Sequence, residues 1–391
     1  MYFELSERLK ARLLHAAMHE DAPGIDSLEG RPLFFLAPES HLGLVHGPAI
    51  AAAAKGLVAV VDDKSSQAAI HGAPRWTSER FLRDAKSYKN AVALDFSMSH
   101  GARAMFSVLC QQAGIEKQDC VVAQAQLGLI SVYESVSEYR SKTLARLDEL
   151  MRLAESFADH HSRATLYANL LFRITYDRSP MLSTWANPSD EYFANFAHSS
   201  TFTLGKNEHY CDCGAFQGPV VSKFLGATEY RYASITAFEP DRTNFEMLQK
   251  VSPVPLANFR SVNKAVSHQA GHLRFMETGS ISSHVSDQGN IQVETIKLDD
   301  EVDKLTFLKM DIEGFEVNAL KGASRLLREN RPRVAACVYH YADDLLDVVE
   351  QLEQAVDNYN YRLRQHNGSY YYDLILYAST ESGVEPGSAA A

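Results

Sequence analysis

The amino-acid sequence predicts an α/β protein whose main sheet is largely parallel and ends in an antiparallel hairpin. From residue 208 onward, short apolar runs alternate with helical patterns. This alternation predicts parallel strands, because each helix returns the chain to the same edge of the sheet. Asn367-Gly368 lies between the last two predicted strands and is a strong hairpin signal. The same alternation over residues 25–128 predicts a smaller, doubly wound α/β unit.

Changes in composition divide the chain into four predicted segments. Residues 131–175 contain almost no Gly or Pro and carry apolar residues at helical spacing, which predicts one or two long helices. The predicted segments are an N-terminal α/β domain (1–130), a helical linker (131–185), a larger domain (186–380) and a flexible tail of small and polar residues (381–391).

The individual elements follow from apolar, β-branched runs for strands and from the 3.6-residue period for helices. In the N-terminal domain, helices are predicted at 1–20, 47–56 and 100–113, and strands at 31–36, 57–63, 91–96 and 121–123. In the larger domain, strands are predicted at 208–213, 234–239, 259–266, 272–276, 305–310, 333–339, 361–365 and 371–378, and helices at 218–226, 242–250, 315–328 and 343–357.

Charge and composition exclude several classes of protein. The 391 residues carry a formal net charge of -11, which argues against a nucleic-acid partner and against a polybasic membrane contact. No apolar run approaches the ~18–20 residues of a membrane helix, and the first residues lack a signal-peptide pattern. The five cysteines show no metal-type spacing. Cys211 and Cys213 would face the same side of a strand as a buried apolar pair. A cytoplasmic location fits these features.

The first motif, Tyr-Cys-Asp-Cys-Gly-Ala-Phe-Gln-Gly at 210–218, lies where a predicted strand ends and a helix begins. Gly214 allows a sharp turn and a close approach of a ligand to the backbone. Gly218 lies near the helix start, where free N–H groups favour an anionic group. The spacing differs from the three-glycine dinucleotide pattern and suits a nucleotide without pyrophosphate, such as S-adenosylmethionine. Asp212 is a candidate to accept a hydrogen bond from the ligand's ammonium group.

The second motif is Phe-Glu-Pro-Asp at 238–241. Glu239 ends the second predicted strand, where a carboxylate can accept two hydrogen bonds from the ribose hydroxyls of a nucleotide. Pro240 stops the strand and leaves Glu239 at its tip. Asp241 is predicted to cap the next helix.

The third and fourth motifs place acids and a histidine at the ends of two further strands. Asp311 and Glu313 follow the apolar run that ends at Met310, and His340 follows the next strand. In an open α/β sheet, ligands bind at the carboxyl ends of the strands. One acid would act as general base on a substrate hydroxyl, or both would hold a divalent cation, which the sequence by itself does not indicate. His340 is a candidate base, and Glu316 favours a helix N-terminus.

Together these residues resemble the FkbM family of methyltransferases. The resemblance rests on Tyr-x-Asp-x-Gly-Ala (210–215), Phe-Glu-Pro-Asp (238–241), Asn-Lys-Ala-Val-Ser (263–267) and Lys-x-Asp-x-Glu-Gly-x-Glu (309–316). Leu-Lys-Gly-Ala (320–323) and Glu-Tyr-Phe (191–193) extend it. It covers roughly residues 190–378, and the last acidic motif is its most specific part.

The resemblance implies a Rossmann-like, seven-stranded methyltransferase sheet, S-adenosylmethionine as cofactor, and O-methylation of a hydroxyl on a sugar, polysaccharide or polyketide. It implies two groups of site residues. Those on the donor side are Asp212, Gly214, Ala215, Gly218, Glu239, Pro240, Asn263 and Ala265, the last two near the adenine, and those facing the acceptor are Asp311, Glu313 and His340. Gln217 and Cys213 depart from the family's usual residues without blocking donor binding.

The N-terminal domain is similar to the nucleotide-fold domains found beside sugar-modifying enzymes. Its first loop carries Pro38 and Glu39 where those domains have Gly-x-Gly, and Glu39 would repel a phosphate. We expect a scaffold or a role in recognising a small-molecule or glycan acceptor. Two alternatives stay open at this point, a non-catalytic binding protein with a vestigial donor pocket and a nicotinamide-dependent oxidoreductase. The sequence also leaves open a homo-oligomer.

Overall fold

The computed structural model describes residues 1–18, 28, 30–194, 202, 204–252, 254–279, 283–366 and 370–380. The predicted turn at Asn367-Gly368 and the predicted tail at 381–391 lie outside these residues. The chain forms two compact units. The first contains 1–147, 164–185 and 367–371, and the second contains 148–163, 186–366 and 372–391. Within the described ranges, every helix is too short or too polar to cross a membrane.

The first unit is built on a six-stranded sheet. Its elements up to residue 145 are α1 Tyr2–Met18, β1 Leu33–Leu36, α2 His41–Ala54, β2 Leu57–Val61, β3 Ala69–Ile70, β4 Ala73–Trp76, α3 Ser78–Asp84, β5 Val92–Asp95, α4 His100–Ala113, β6 Glu116–Asp119, α5 Cys120–Gln126 and α6 Val136–Ala145. The strand order is β3-β4-β2-β1-β5-β6, and all neighbours are parallel except β3 and β4. Phe34, Trp76 and Phe81 pack together on one face of the sheet.

Two predictions for this unit are wrong in detail. Residues 121–123, predicted as a strand, lie in helix α5, because the Asp119 side chain accepts the Val121 N–H and caps the helix there. The strand is instead the polar edge strand β6. Helix α2 begins at His41 and not near residue 47, because the Ser40 hydroxyl accepts the Gly43 N–H at its N-terminus.

The segment predicted as a linker is helical but does not form one body. It contains α6 and two further helices, α7 Leu147–Ser156 and α8 His160–Thr175. The contacts of residues 131–147 and 164–185 assign them to the first unit, and those of 148–163 assign them to the second.

The second unit contains the seven-stranded sheet that the sequence predicts. Its elements from residue 209 onward are β7 His209–Cys213, α9 Pro219–Ala227, β8 Ser234–Phe238, α10 Arg242–Leu248, β9 Phe259–Val262, β10 Ala265–Val266, β11 Gly271–Met276, β12 His284–Val285, β13 Ile291–Ile296, α11 Leu298–Glu301, β14 Phe307–Met310, α12 Glu316–Lys321, α13 Ser324–Asn330, β15 Arg333–Cys337, α14 Asp344–Ala355, β16 Asn360–Gln365 and β17 Leu374–Ser379. The order is β16-β17-β15-β14-β7-β8-β9. The pairs from β15 to β9 are parallel, and β17 and β16 are antiparallel.

A second, four-stranded sheet was not predicted as a separate layer. Its order is β10-β13-β11-β12. The strand predicted at 259–266 is two strands in two sheets, because the Asn263 side chain leaves the ladder and donates to the backbone carbonyls of Glu239 and Pro240. Strand β13 was missed, and the helix predicted at 315–328 is divided into α12 and α13 near Gly322.

The main sheet brings the predicted site residues to one edge. Cys213, Phe238 and Met310 are neighbours in register at the ends of β7, β8 and β14, and Ala336 continues the row in β15. Since these four strands are parallel, the residues that follow them all leave the sheet at its carboxyl edge.

Candidate active site

The loop after β7 consists largely of residues with positive φ angles. The angle is +79° at Gly214, +51° at Phe216 and +92° at Gly218. A Cβ atom on Gly214 would lie 1.9 Å from the carbonyl oxygen of Asp311, and one on Gly218 would lie 2.5 Å from a valine methyl carbon. Both glycines are therefore required by space as well as by backbone conformation. The buried Ala215 lies between them.

Glu239 joins this loop to the end of β8. Its two carboxylate oxygens accept the backbone N–H groups of Phe216 at 2.7 Å and Asp241 at 2.9 Å. The side chain is buried, and burial raises the pKa of the Glu239 carboxyl to about 7 against the opposing effect of the two N–H donors. Asp241 caps α10 as predicted, because its carboxylate accepts the Asn244 N–H.

Asp212 lies inside the protein and holds a lysine. Its Oδ1 is 3.0 Å from Lys309 Nζ, and Tyr210 donates its hydroxyl to Oδ2 at 3.1 Å. Lys309 also donates to the Gly214 carbonyl at 2.6 Å. Burial would lower the pKa of Lys309, but Asp212 and Asp311 raise it well above its usual value, so the lysine is charged. The predicted contact of Asp212 with a donor ammonium stays a prediction.

The acidic motif and the histidine come together as predicted. His340 Nε2 lies 3.5 Å from Asp311 Oδ1 and 3.6 Å from Glu313 Oε2. On the other side of the ring, His340 Nδ1 lies 3.4 Å from Glu316 Oε1. His340 and Glu316 are fully buried, whereas the side chains of Asp311 and Glu313 are 25% and 22% exposed. Solvent therefore reaches the cluster only from the side of these two acids.

The turn between β14 and α12 sets the positions of Glu313 and Glu316. Glu313 has a φ of +60° although it is not glycine, and Gly314 follows at +86°. A Cβ on Gly314 would lie 2.3 Å from the Tyr341 ring. Glu316 Oε1 accepts the Ile312 N–H at 2.8 Å and closes the turn. A strained non-glycine residue of this kind often marks a functional position.

The surrounding charges set the protonation of the cluster. Burial alone would lower the pKa of His340, but Glu316, Glu313 and Asp311 raise it to about 10. Burial alone would raise the pKa of Asp311, but Lys309, His340 and the Tyr192 hydroxyl hold it below its usual value. In this state Asp311 is a carboxylate and can accept a proton, whereas His340 is a donor. The predicted base role of His340 would require the neutral imidazole.

Tyr192 orients Asp311 and received no role in the sequence analysis. Its hydroxyl donates to Asp311 Oδ2 at 2.9 Å, and its backbone N–H donates to the Tyr377 hydroxyl at 3.0 Å. His366 Nε2 lies 2.8 Å from that hydroxyl, and its Nδ1 lies 2.9 Å from the Asn187 carbonyl. A carbonyl only accepts, so Nδ1 carries the proton and Nε2 accepts from Tyr377. Burial lowers the pKa of His366 to about 4, consistent with a neutral ring.

Of the remaining predicted donor residues, Asn263 contacts the backbone at the end of β8, whereas Ala265 lies in the small sheet. Asn263 donates to the carbonyls of Glu239 and Pro240 at 2.8 and 3.0 Å and so fixes the backbone after β8. Ala265 lies in β10 and is buried in the small sheet. The predicted pairing of Cys211 with Cys213 is present as two buried thiols 3.8 Å apart.

A comparison with a solved structure supports the fold. The crystal structure of methyltransferase FkbM from Methylobacillus flagellatus KT is 23% identical and superposes with a TM-score of 0.79, covering 97% of this chain and 100% of its own. A chain of the fibrillarin/Nop5p complex and a putative methyltransferase from Thermoplasma acidophilum, each 14% identical, cover 45% and 46% of this chain and 74% and 70% of their own. Their TM-scores are 0.32 and 0.28. A search of curated proteins finds no match.

The fold of this protein is therefore that of a methyltransferase. Residues 212–363 match the family model described as the methyltransferase FkbM domain. This part of the chain is therefore similar to the FkbM methyltransferase domain, which confirms the resemblance predicted from the motifs.

Proposed function

We propose that the second unit transfers a methyl group from S-adenosylmethionine to a hydroxyl oxygen of a sugar, polysaccharide or polyketide-type acceptor. The observation that carries the proposal is the arrangement at one sheet edge. The Gly214 loop and Glu239 lie at the ends of β7 and β8, and Asp311 and Glu313 lie at the end of the adjacent β14. Similarity to the FkbM domain supports methyl transfer, and the acids support a hydroxyl acceptor.

The residues at the ends of β7 and β8 fit S-adenosylmethionine. A Cβ atom on Gly214 or Gly218 would collide with neighbouring atoms of the protein, so only glycine permits the tight turn that this loop makes beside the strand ends. Each Glu239 oxygen accepts one backbone N–H, and a carboxylate oxygen has a second lone pair for a ribose hydroxyl. S-adenosylmethionine has no pyrophosphate to bind, which agrees with the absence of the third glycine of the dinucleotide pattern. When bound, S-adenosylmethionine supplies an electrophilic methyl group, and its transfer to a hydroxyl oxygen leaves S-adenosylhomocysteine and releases one proton.

The chain's own contribution is to orient the acceptor and to take that proton. Asp311 is ionised and partly exposed, and Tyr192 fixes its second oxygen. A carboxylate so placed can accept the proton of the hydroxyl, a contribution of ~10²–10⁴-fold to the rate. Orientation of the two reactants can contribute up to ~7–11 kcal/mol. The buried thiols of all five cysteines fit a reducing compartment, and we propose the cytoplasm.

The test combines calorimetric titration with a methyl-transfer screen. Purified protein is titrated with S-adenosylmethionine and S-adenosylhomocysteine and assayed against glycans, nucleotide-sugars and polyketides. Asp311→Asn is expected to lower turnover by ~10²-fold or more with little change in donor affinity. Asp300→Asn, whose carboxylate is more than half exposed, is the matched control and should leave both unchanged. Absence of donor binding would refute the proposal, and unchanged turnover in Asp311→Asn would remove Asp311 from it.

A further inference from the structure

We propose that Asp311, Glu313 and His340 form the binding site of a divalent transition-metal ion with a coordination face open toward the acceptor. The site itself follows from geometry, whereas the catalytic use of the ion rests on the function proposed above. The three residues offer two carboxylate oxygens and one imidazole nitrogen, all within 4.8 Å of one another. Two of the side chains are partly exposed, so an ion would also be reached by small molecules.

The distances are close to those between the ligand atoms of one ion. His340 Nε2 lies 3.5 Å from Asp311 Oδ1 and 3.6 Å from Glu313 Oε2. Ligand atoms that are each about 2.1 Å from one ion lie about 3.0 Å apart in an octahedron and about 3.4 Å apart in a tetrahedron. A small inward movement of Asp311 and Glu313 therefore gives a coordination polyhedron.

The residues behind the three ligands form an independent argument. A histidine that binds a metal almost always offers its second ring nitrogen to a carboxylate or a carbonyl. Here Glu316 Oε1 faces His340 Nδ1 at 3.4 Å, from a position that is 1% exposed. The same oxygen accepts the Ile312 N–H, so its place is fixed. The contact leaves Nε2 for the ion, which on binding displaces the proton that the three acids hold on the ring.

Asp311 is also held in place by a neighbouring side chain. Tyr192 holds its Oδ2, and its Oδ1 is a buried atom that accepts no hydrogen bond from the residues the structure describes. That oxygen is the one nearest to His340 Nε2. The alternative grouping of Glu316, His340 and Asp344 consists of three buried residues and has no open side.

The donor set indicates the class of ion. Carboxylates suit Mg²⁺ and Mn²⁺, and imidazole suits Zn²⁺ and other first-row ions, so a mixed set of two carboxylates and one imidazole favours Mn²⁺ or Zn²⁺ over Mg²⁺. Three protein ligands leave at least one position for water or substrate, as in catalytic metal sites. An acceptor hydroxyl in that position would lose its proton more readily, because the cation stabilises the alkoxide.

The experiment titrates the full-length chain with Mn²⁺ and follows binding by electron paramagnetic resonance and calorimetry. The wild type is expected to bind one Mn²⁺, with a nitrogen coupling from His340 in the pulsed spectrum. Glu313→Gln and Asp311→Asn should weaken binding at least tenfold, and Glu316→Gln about tenfold. Asp300→Asn should bind as the wild type does. His340→Gln should lose the nitrogen coupling, and circular dichroism checks that it folds.

Donor titrations on the same samples separate this proposal from the proposed function. If neither Mn²⁺ nor Zn²⁺ binds, or if bound Mn²⁺ shows no nitrogen coupling, the metal site is refuted while donor binding and chelator-resistant transfer leave the methyltransferase function standing. If Mn²⁺ binds as described but donor binding fails, the function is refuted and the metal site stands. Chelator-resistant transfer by a protein that does bind Mn²⁺ overturns only the catalytic use of the ion.

Discussion

Gly214→Ala tests whether the turn after β7 is fixed by the strand beside it. Gly214 has a φ of +79°, and an added Cβ would lie 1.9 Å from the backbone carbonyl oxygen of Asp311. The loop cannot move away freely, because the Gly214 N–H donates to Phe238 and its carbonyl accepts from Lys309. The substitution therefore combines a backbone penalty with a clash against the main chain.

Two control variants in the same unit separate the backbone penalty of Gly214→Ala from the cost of the clash. The left-handed conformation costs alanine about 1–2 kcal/mol, and forcing an extra carbon into a packed site costs about 1–3 kcal/mol, so Gly214→Ala should lose about 2–5 kcal/mol. Gly279 has a φ of +66° but only ordinary contacts, at 3.7 Å or more, so its alanine variant should lose about 1–2 kcal/mol. Gly226 lies in α9 with nothing within 4 Å, and its variant should gain about 0.5–1 kcal/mol.

Hydrogen exchange measured by mass spectrometry in urea is the suitable assay, because the two units need not unfold together. Peptides from β7 and β14 report the second unit. Trp76 and Trp185, the chain's two tryptophans, both lie in the first unit, so their fluorescence serves as an internal reference that Gly214→Ala should not shift. A Gly214→Ala variant no less stable than Gly279→Ala would refute the claimed clash.

Two further variants test buried contacts of the second unit. Lys309→Met leaves the Asp212 carboxylate buried without its cation and should cost about 3–5 kcal/mol; the double variant with Asp212→Asn should cost less than the sum of the single variants, and strict additivity would contradict the ion pair. His366 has a pKa lowered to about 4 from its usual 6.5. Its stabilising effect is thus complete above pH 6.5 and is lost as the pH falls through 4. Between these values the wild type should lose about 3 kcal/mol more than His366→Gln in urea unfolding, and parallel pH profiles would contradict this.

The main sheet could be predicted because β8, β14 and β15 are largely apolar runs followed by a polar tip, and β7 leads into a glycine-containing turn. The bounds of β7, β8 and β14 differ from the predicted ones by no more than two residues. The small sheet could not be predicted, because β13 pairs with β10 and β11 by contacts distant in sequence and only half of its side chains are buried. Helix α5 was missed because the cap at Asp119 outweighs the β-branched pair that follows it.

The site residues could likewise be predicted where the sequence signal is local, but not where a role depends on a contact distant in sequence. Asp311, Glu313 and His340 were found because the ends of parallel strands meet at one edge. Tyr192 was noted only within the Glu-Tyr-Phe motif at 191–193 and received no role, because it reaches Asp311 across 119 positions of sequence. Glu316 was assigned to the helix dipole alone, since the sequence does not reveal that its carboxylate also faces the imidazole of His340.

The ion pair between Asp212 and Lys309 stabilises both the loop after β7 and the cluster of acids after β14. The two residues face each other in register on β7 and β14, and Lys309 also holds the Gly214 carbonyl. A charged pair at this depth is a poor source of stability compared with two apolar side chains, so stability alone does not explain it. It does fix the distance between the two strand tips, and methyl transfer depends on such a distance because misplacement by about 1 Å can cost ~10²-fold in rate. We therefore interpret Asp212 as a residue that fixes the position of the loop after β7 relative to the acids after β14.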